Sequence, residues 1–207
     1  FKSYNFDGSL LFVENVKNNP WTKFKYCSIG GKMFLSRLIL KNDILFRKFK
    51  ICEDAYFLFE CYSKTSKISI SASSGYCRLK NPTSVTHTLN TKKSNSILDV
   101  LKCIDTNIDC SNFDKKLLSY FYLKSIVLDV LLAIDDFSTD ILVKRFEDSI
   151  KWYQQILKKM DLKFKMIHLK YETLKINFVV NIFVIFYKLK ILSIFIYFLK
   201  KGKVRVE

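Results

Sequence analysis

Two carboxylates stand side by side at Glu53 and Asp54, inside Lys50-Ile51-Cys52-Glu53-Asp54-Ala55-Tyr56-Phe57-Leu58-Phe59, the only adjacent acidic pair in the first 130 residues. Carboxylates can serve as general acid or base, given geometry first and a suitable pKa second. Ala55, Leu58, Phe59 and Tyr62 recur at helical spacing, which predicts a helix with Asp54 at or next to its N-cap. There the carboxylate accepts backbone N–H groups and is favoured in its ionised form, the form a base requires. A plain capping Asp, contributing about 1 kcal/mol, fits the same pattern.

Other reactive residues offer less. Asp135 and Asp136 form a second acidic pair, but they fall between two helix-length segments and read as capping residues. The two histidines, His87 and His168, lie 81 positions apart with no ligand-spaced partner, which argues against a histidine metal site. Six cysteines, at 27, 52, 61, 77, 103 and 110, include no C-x-x-C, and a chain this long and apolar needs no stapling. Reduced, mostly buried thiols in a cytoplasmic protein are expected.

The formal net charge of +16 is concentrated at the ends: residues 1–50 and 161–207 each carry ten basic and three acidic groups, and the middle is balanced. Thirty of the 35 basic residues are Lys. Nucleic-acid readers favour Arg patches among stacking aromatics or a recognisable module, and neither is present, so nucleic acid is not the expected partner. Sugar-nucleotide phosphates or an anionic membrane surface account for such charge as well.

The elements that must position the acidic pair divide the chain near residue 90. Residues 1–90 read as α/β. Ser9 to Lys17 suggests a short helix stopped by Asn18-Asn19-Pro20, and Lys32 to Leu40 an amphipathic helix after Gly30-Gly31. Lys67 to Ala72 alternates as a half-buried strand, with Tyr76 to Leu79 a second strand beyond a turn. Trp21 to Ser28 is aromatic and basic, suiting either the wall of a sugar cleft or a strand edge in the core. Lys32, at a helix start where the macrodipole does not help a cation, suits a carboxylate or phosphate partner, and a plain solvated Lys fits the same placement. Residues 91–207 read as helices over Ser94–Ile104, Phe113–Ile134, Thr139–Met160 and Tyr171–Lys201.

Four short motifs occur in order: Gly31-Lys32-Met33-Phe34, Asn42-Asp43-Ile44-Leu45-Phe46, Glu53-Asp54-Ala55-Tyr56-Phe57, and Tyr76-Cys77-Arg78 through Ser84-Val85-Thr86. With these, the stretch from about Pro20 to Thr86 resembles the second half of a bacterial family 2 glycosyltransferase, the class that builds capsule, O-antigen and related polysaccharides. The resemblance implies the C-terminal part of a GT-A (Rossmann-like) sheet with flanking helices, followed by a mainly helical region. It also implies inverting transfer from a nucleotide-sugar donor to a hydroxyl of a glycan or lipid-linked acceptor. Asp54 would be the base and Glu53 its orienting neighbour. Arg78 and Ser84 would contact the donor diphosphate, and Lys32 and Trp21 would border the acceptor.

Two departures bear on this reading. Pro82 stands where some relatives have His, leaving that contact absent or supplied by His87, and Cys52 stands where a Gly often precedes the acidic pair. The divalent metal (Mg or Mn) expected for a complete enzyme is held in that family by a D-x-D in a nucleotide-binding first half. Only 52 residues precede Glu53, and Asp7 and Asp43 are single. The expectation is therefore a truncated gene product or a part of a longer cytoplasmic enzyme, inactive by itself. A non-catalytic membrane- or partner-binding helical module is the alternative.

Ile176 to Leu199 spans 24 residues, about 36 Å as one helix against a hydrocarbon core of about 30 Å. Lys188 and Lys190 near its centre each oppose insertion by roughly 2.5–3.5 kcal/mol, which nearly cancels its 17 Ile, Leu, Val and Phe residues at roughly 0.3–0.6 kcal/mol apiece. A helix lying in the interface of the inner membrane face, or packed on other helices, is expected instead.

Overall fold

The computed structural model describes residues 10–13, 22–25, 28–65, 68–71, 97–170 and 172–202. They are mainly helical, which overturns the expected Rossmann-like sheet. Strand β1 (Leu10–Val13) and strand β2 (Ile68–Ser71) pair antiparallel, with Leu10 opposite Ser71 and Val13 opposite Ile68. A parallel sheet requires several apolar strands joined by crossovers. The described residues supply one two-stranded ribbon, because apolar positions elsewhere recur at helical spacing. The helix expected over Ser9–Lys17 is a strand where it is described, since β1 reads Leu-Leu-Phe-Val and finds an antiparallel partner in β2. Tyr76 to Leu79 lies outside the described residues.

The helices are α1 (Thr22–Lys25), α2 (Ser36–Lys41), α3 (Glu53–Ser63), α4 (Ile97–Asn107), α5 (Lys115–Leu132), α6 (Thr139–Lys159), α7 (Leu174–Lys188) and α8 (Leu192–Gly202). Two compact units result: residues 1–89 with 100–114, and residues 90–99 with 115–207.

The first unit is built round α3, which buries Ala55, Tyr56, Phe57, Leu58, Phe59, Cys61 and Tyr62, a wider apolar surface than the single stripe read from sequence. On one side Phe46 stacks on Phe57 at 4.1 Å and Phe34 meets it edge-on at 5.3 Å, beside buried Ile44 and Cys61. On another, Phe59 stacks on Phe113 at 5.3 Å, with Phe24 edge-on to both. Aromatic pairs of this kind add roughly 0.5–1.5 kcal/mol each beyond the area they bury. The end of α3 is closed by distant residues. Buried Lys23 donates from Nζ to the Tyr62 carbonyl (2.9 Å) and to Asn112 Oδ1 (3.3 Å), 4.4 Å over the Phe113 ring. Asn112 Nδ2 donates to the Ser63 carbonyl at 2.8 Å. Two carbonyls left open by the helix end are thereby satisfied, with a cation where the dipole favours one.

The second unit packs α5 against α6, with α7 and α8 laid over them. Helix α6 presents Leu142, Phe146, Ser149, Ile150, Tyr153, Ile156 and Leu157 inward, a stripe repeating every three or four residues. Phe146 meets Phe183 at 5.5 Å and Tyr187 at 5.8 Å, and Phe195 of α8 stacks on Phe186 at 4.4 Å. Asp129 is 5% exposed. It takes Arg145 Nε at 2.6 Å and Nη2 at 2.8 Å, and its Oδ1 also accepts the Ile97 N–H at 3.2 Å.

Between α6 and α7 the chain runs extended along α7. Asn181 accepts the Ile167 N–H at 2.9 Å and donates to its carbonyl at 3.0 Å, and Asn177 treats Leu169 the same way at 3.1 and 2.9 Å. The two amides lie one helical turn apart on α7 and grip alternate residues, as a neighbouring strand would.

The segment expected as one helix from Tyr171 to Lys201 is two. Helix α7 ends with Lys190 at φ 60°, the Ile191 N–H reaching the Phe186 carbonyl at 3.0 Å and the Lys190 N–H the Tyr187 carbonyl at 3.0 Å. This is a Schellman end whose left-handed residue is not glycine. Asp43 after α2 and Asp161 after α6 end their helices in the same way.

Candidate functional site

The acidic pair opens α3. Cys52 occupies the N-cap position with φ 58° and ψ 20° and makes no side-chain cap, and Glu53 and Asp54 form the first turn, both half-buried. Asp54 is thus inside the helix and not its N-cap. Its Oδ2 accepts the backbone N–H of Ile29, 25 residues away in sequence, at 3.3 Å. Asp54 therefore ties a distant loop to α3, and this sets where that oxygen points.

The tied loop carries Lys32. Its backbone N–H donates to the Ile29 carbonyl at 3.1 Å, and its ammonium donates to the Ser28 carbonyl. The helix expected from Lys32 begins only at Ser36, with Leu35 at its N-cap, so Lys32 lies in the turn ahead of it. A backbone carbonyl is thus among the partners of the ammonium. Helix α2 then ends at Lys41, and Asp43 takes the left-handed conformation that turns Ile44 into the core and lets Phe46 reach Phe57. Ile29, Phe34, Leu38 and Ile39 pack on the same cluster. Gly31-Lys32-Met33-Phe34, Asn42 to Phe46 and the acidic pair are consequently neighbours. Trp21, Arg78 and Ser84, like His87, lie outside the described residues.

Sequence reasoning passed over a charged group beside this cluster. Glu60, two turns along α3 from Glu53, faces Arg47, whose Nη2 is 4.0 Å from Oε1. The Arg47 guanidinium lies 5.7 Å over the Tyr56 ring. Burial pushes the Glu60 carboxyl above its ordinary value, opposed by Arg47 and Lys64, and burial together with Glu60 raises the Tyr56 hydroxyl. The i, i+4 spacing of Tyr56 and Glu60 was the available signal, whereas nothing local announces Arg47.

The conformation of Cys52 has an energetic consequence. A residue with a Cβ costs about 1–2 kcal/mol in the left-handed region, and glycine does not carry that penalty. Cys52→Gly is expected to raise stability by about 1 kcal/mol after allowance for the greater freedom of glycine in the unfolded chain. Cys52→Ala should give no such gain. Urea melts of the two variants check this; equal stability would remove the strain argument.

Among the described residues no three His, Cys, Asp or Glu side chains gather as a metal site requires. Cys52, Cys61, Cys103 and Cys110 are present as thiols. An open depression of about 290 Å³ lined by Gln154, Leu157, Lys158, Asp161, Leu162 and Phe164 belongs to the second unit. Polar Gln154, Lys158 and Asp161 share its lining about equally with apolar Leu157, Leu162 and Phe164.

No protein-family profile matches the chain, and neither the curated proteins nor the solved structures contain a significant match.

Proposed function

We propose that the chain carries the acceptor-side, base-bearing part of a glycosyltransferase similar to family 2, acting in the cytoplasm on a glycan or lipid-linked acceptor. Asp54 is the base. With Oδ2 occupied by the Ile29 N–H, Oδ1 takes the proton of the acceptor hydroxyl as that oxygen attacks the anomeric carbon of a nucleotide sugar, whose bond to the diphosphate oxygen breaks and releases the nucleoside diphosphate. Glu53 orients the acceptor, and Arg78 and Ser84 contact the donor diphosphate. The observation supporting the reading is the gathering of three motif segments on α3, with the left-handed residue falling at Cys52, where relatives often have Gly.

A second reading is favoured by the absence of a parallel sheet among the described residues: a non-catalytic helical module in which the acidic pair only ties the loop at Ile29. The two part on one experiment. The complete reading frame that contains this chain is expressed, and nucleotide-sugar turnover is measured in Mg²⁺ or Mn²⁺ with and without Asp54→Asn. The substitution keeps shape and an oxygen for the Ile29 N–H but removes the base, so turnover should fall at least about a hundredfold with the melting curve unchanged. Unaltered turnover would take Asp54 out of the chemistry, and no turnover from either form would favour the module.

A further inference from the structure

Helix α7 keeps an apolar stripe on the side away from its buried residues. Leu174, Phe178, Ile182, Ile185 and Leu189 follow one another at intervals of three and four, and Leu174, Phe178 and Leu189 are 78%, 66% and 61% exposed. The buried residues Asn177, Val180, Phe183 and Val184 occupy the opposite face. Helix α8 adds exposed Ile194, Tyr197 and Phe198. An apolar stripe this long on one exposed helix face is more than scattered surface hydrophobicity.

Charge specifies what covers it. Residues 174–202 contain five lysines and no Asp or Glu. On the α7 wheel Lys175 and Lys188 flank the stripe on either side, Lys190 stands at the break, and Lys201 lies 4.7 Å over the Tyr197 ring. A second copy of the chain applied to this face would set lysine against lysine. Among the described residues no helix is long and apolar enough to cross a membrane. A helix lying flat, with aliphatic and phenyl groups in the acyl boundary and lysines reaching the headgroups, meets both conditions.

We propose that the α7–α8 hairpin docks the chain on the surface of a bilayer containing anionic lipid. All of these residues belong to the second unit, so the inference stands apart from the transfer reading.

The test uses the full 207-residue chain with vesicles of phosphatidylcholine alone and with about one third phosphatidylglycerol. Co-sedimentation with the anionic vesicles is expected, weakening as salt rises. Lys175→Gln and Lys190→Gln should each weaken it about fivefold. Phe178→Asp with Ile185→Asp should abolish it; both sites are exposed, so the helical circular dichroism should persist, and the lysine variants test the proposal should it not. Equal sedimentation with neutral vesicles, none with anionic ones, or undiminished binding by the lysine variants would overturn the proposal. So would a dimer in solution that the Asp variant dissolves, because the stripe would then be covered by a second copy.

Discussion

Asp129→Ala is expected to destabilise the second unit by about 3–5 kcal/mol, the usual effect of removing one partner of a buried ion pair. Three losses coincide there. The Arg145 guanidinium, its side chain 20% exposed, keeps its charge with no carboxylate to accept from Nε and Nη2. The hydrogen bonds it donates to Asp129 hold that guanidinium above its already high ordinary value, so it does not escape by losing its proton. The first N–H of α4, at Ile97, also loses its acceptor, together with a negative charge favourable to that helix end. Arg145→Ala alone should cost less, because Asp129 retains the Ile97 N–H. The double replacement Asp129→Leu with Arg145→Met should recover much of the loss, since well-packed apolar groups often substitute for a buried pair. Urea unfolding of the three variants reads these differences; a loss below about 1 kcal/mol in Asp129→Ala would mean that the pair is solvated and of surface strength.

Stability of the first unit should rise between pH 8 and pH 9, against the trend for most proteins. Burial pulls the Lys23 ammonium down from 10.5 to about 8, the nearby Cys110 opposing the shift. Above pH 8 the folded chain has released this proton and the unfolded chain still holds it, so unfolding takes up a proton and stability increases with pH. The slope is about 1.4 kcal/mol per pH unit, about 3 kcal/mol if it ran the full interval alone. Cys61 has the opposite sign: burial pushes its thiol up to about 12, so the unfolded chain ionises first and stability falls from about pH 9 upward. The two slopes cancel between pH 9 and 10.5. The expected profile is therefore a rise, a plateau and a fall, and Lys23→Met should erase the rise and turn the plateau into a fall from about pH 9. A wild-type profile already flat or falling from pH 8 would contradict the burial of a charged Lys23.

What the sequence disclosed follows from which interactions are local. The helices from α4 to α6 and the strand at Ile68–Ser71 were legible because their apolar period is carried within the segment. The helical acidic pair was legible for the same reason. The break at Lys190 was not: the segment has neither Gly nor Pro there. Its left-handed residue is tolerated because Leu192 and Ile196 become buried and Phe195 stacks on Phe186. Those gains depend on α6 and α7 being present, so no window of residues can contain them.

The strand at Leu10–Val13 and the late start of α2 misled for a related reason. Leu-Leu-Phe-Val serves helix or strand equally, and the partner that decides lies 55 to 61 residues away at Ile68–Ser71. At the candidate site, the pair Glu53 and Asp54 announced itself, but the N–H that fixes Asp54 comes from Ile29. Lys23, whose neighbours suggested either a cleft wall or a sheet edge, serves as a clamp on the end of α3.

The grip of Asn177 and Asn181 on Ile167 and Leu169 works as a ruler. Two amides one helical turn apart can seize only residues two apart on an extended strand, so the number of residues from Asp161 to Thr173 is fixed more tightly than their identity. Losing one residue between Leu162 and Ile167 would interchange the half-buried row of Leu162 and Phe164 with the lysines at 163 and 165. In any diverged copy of this chain, that connection should vary in letters and hold constant in length.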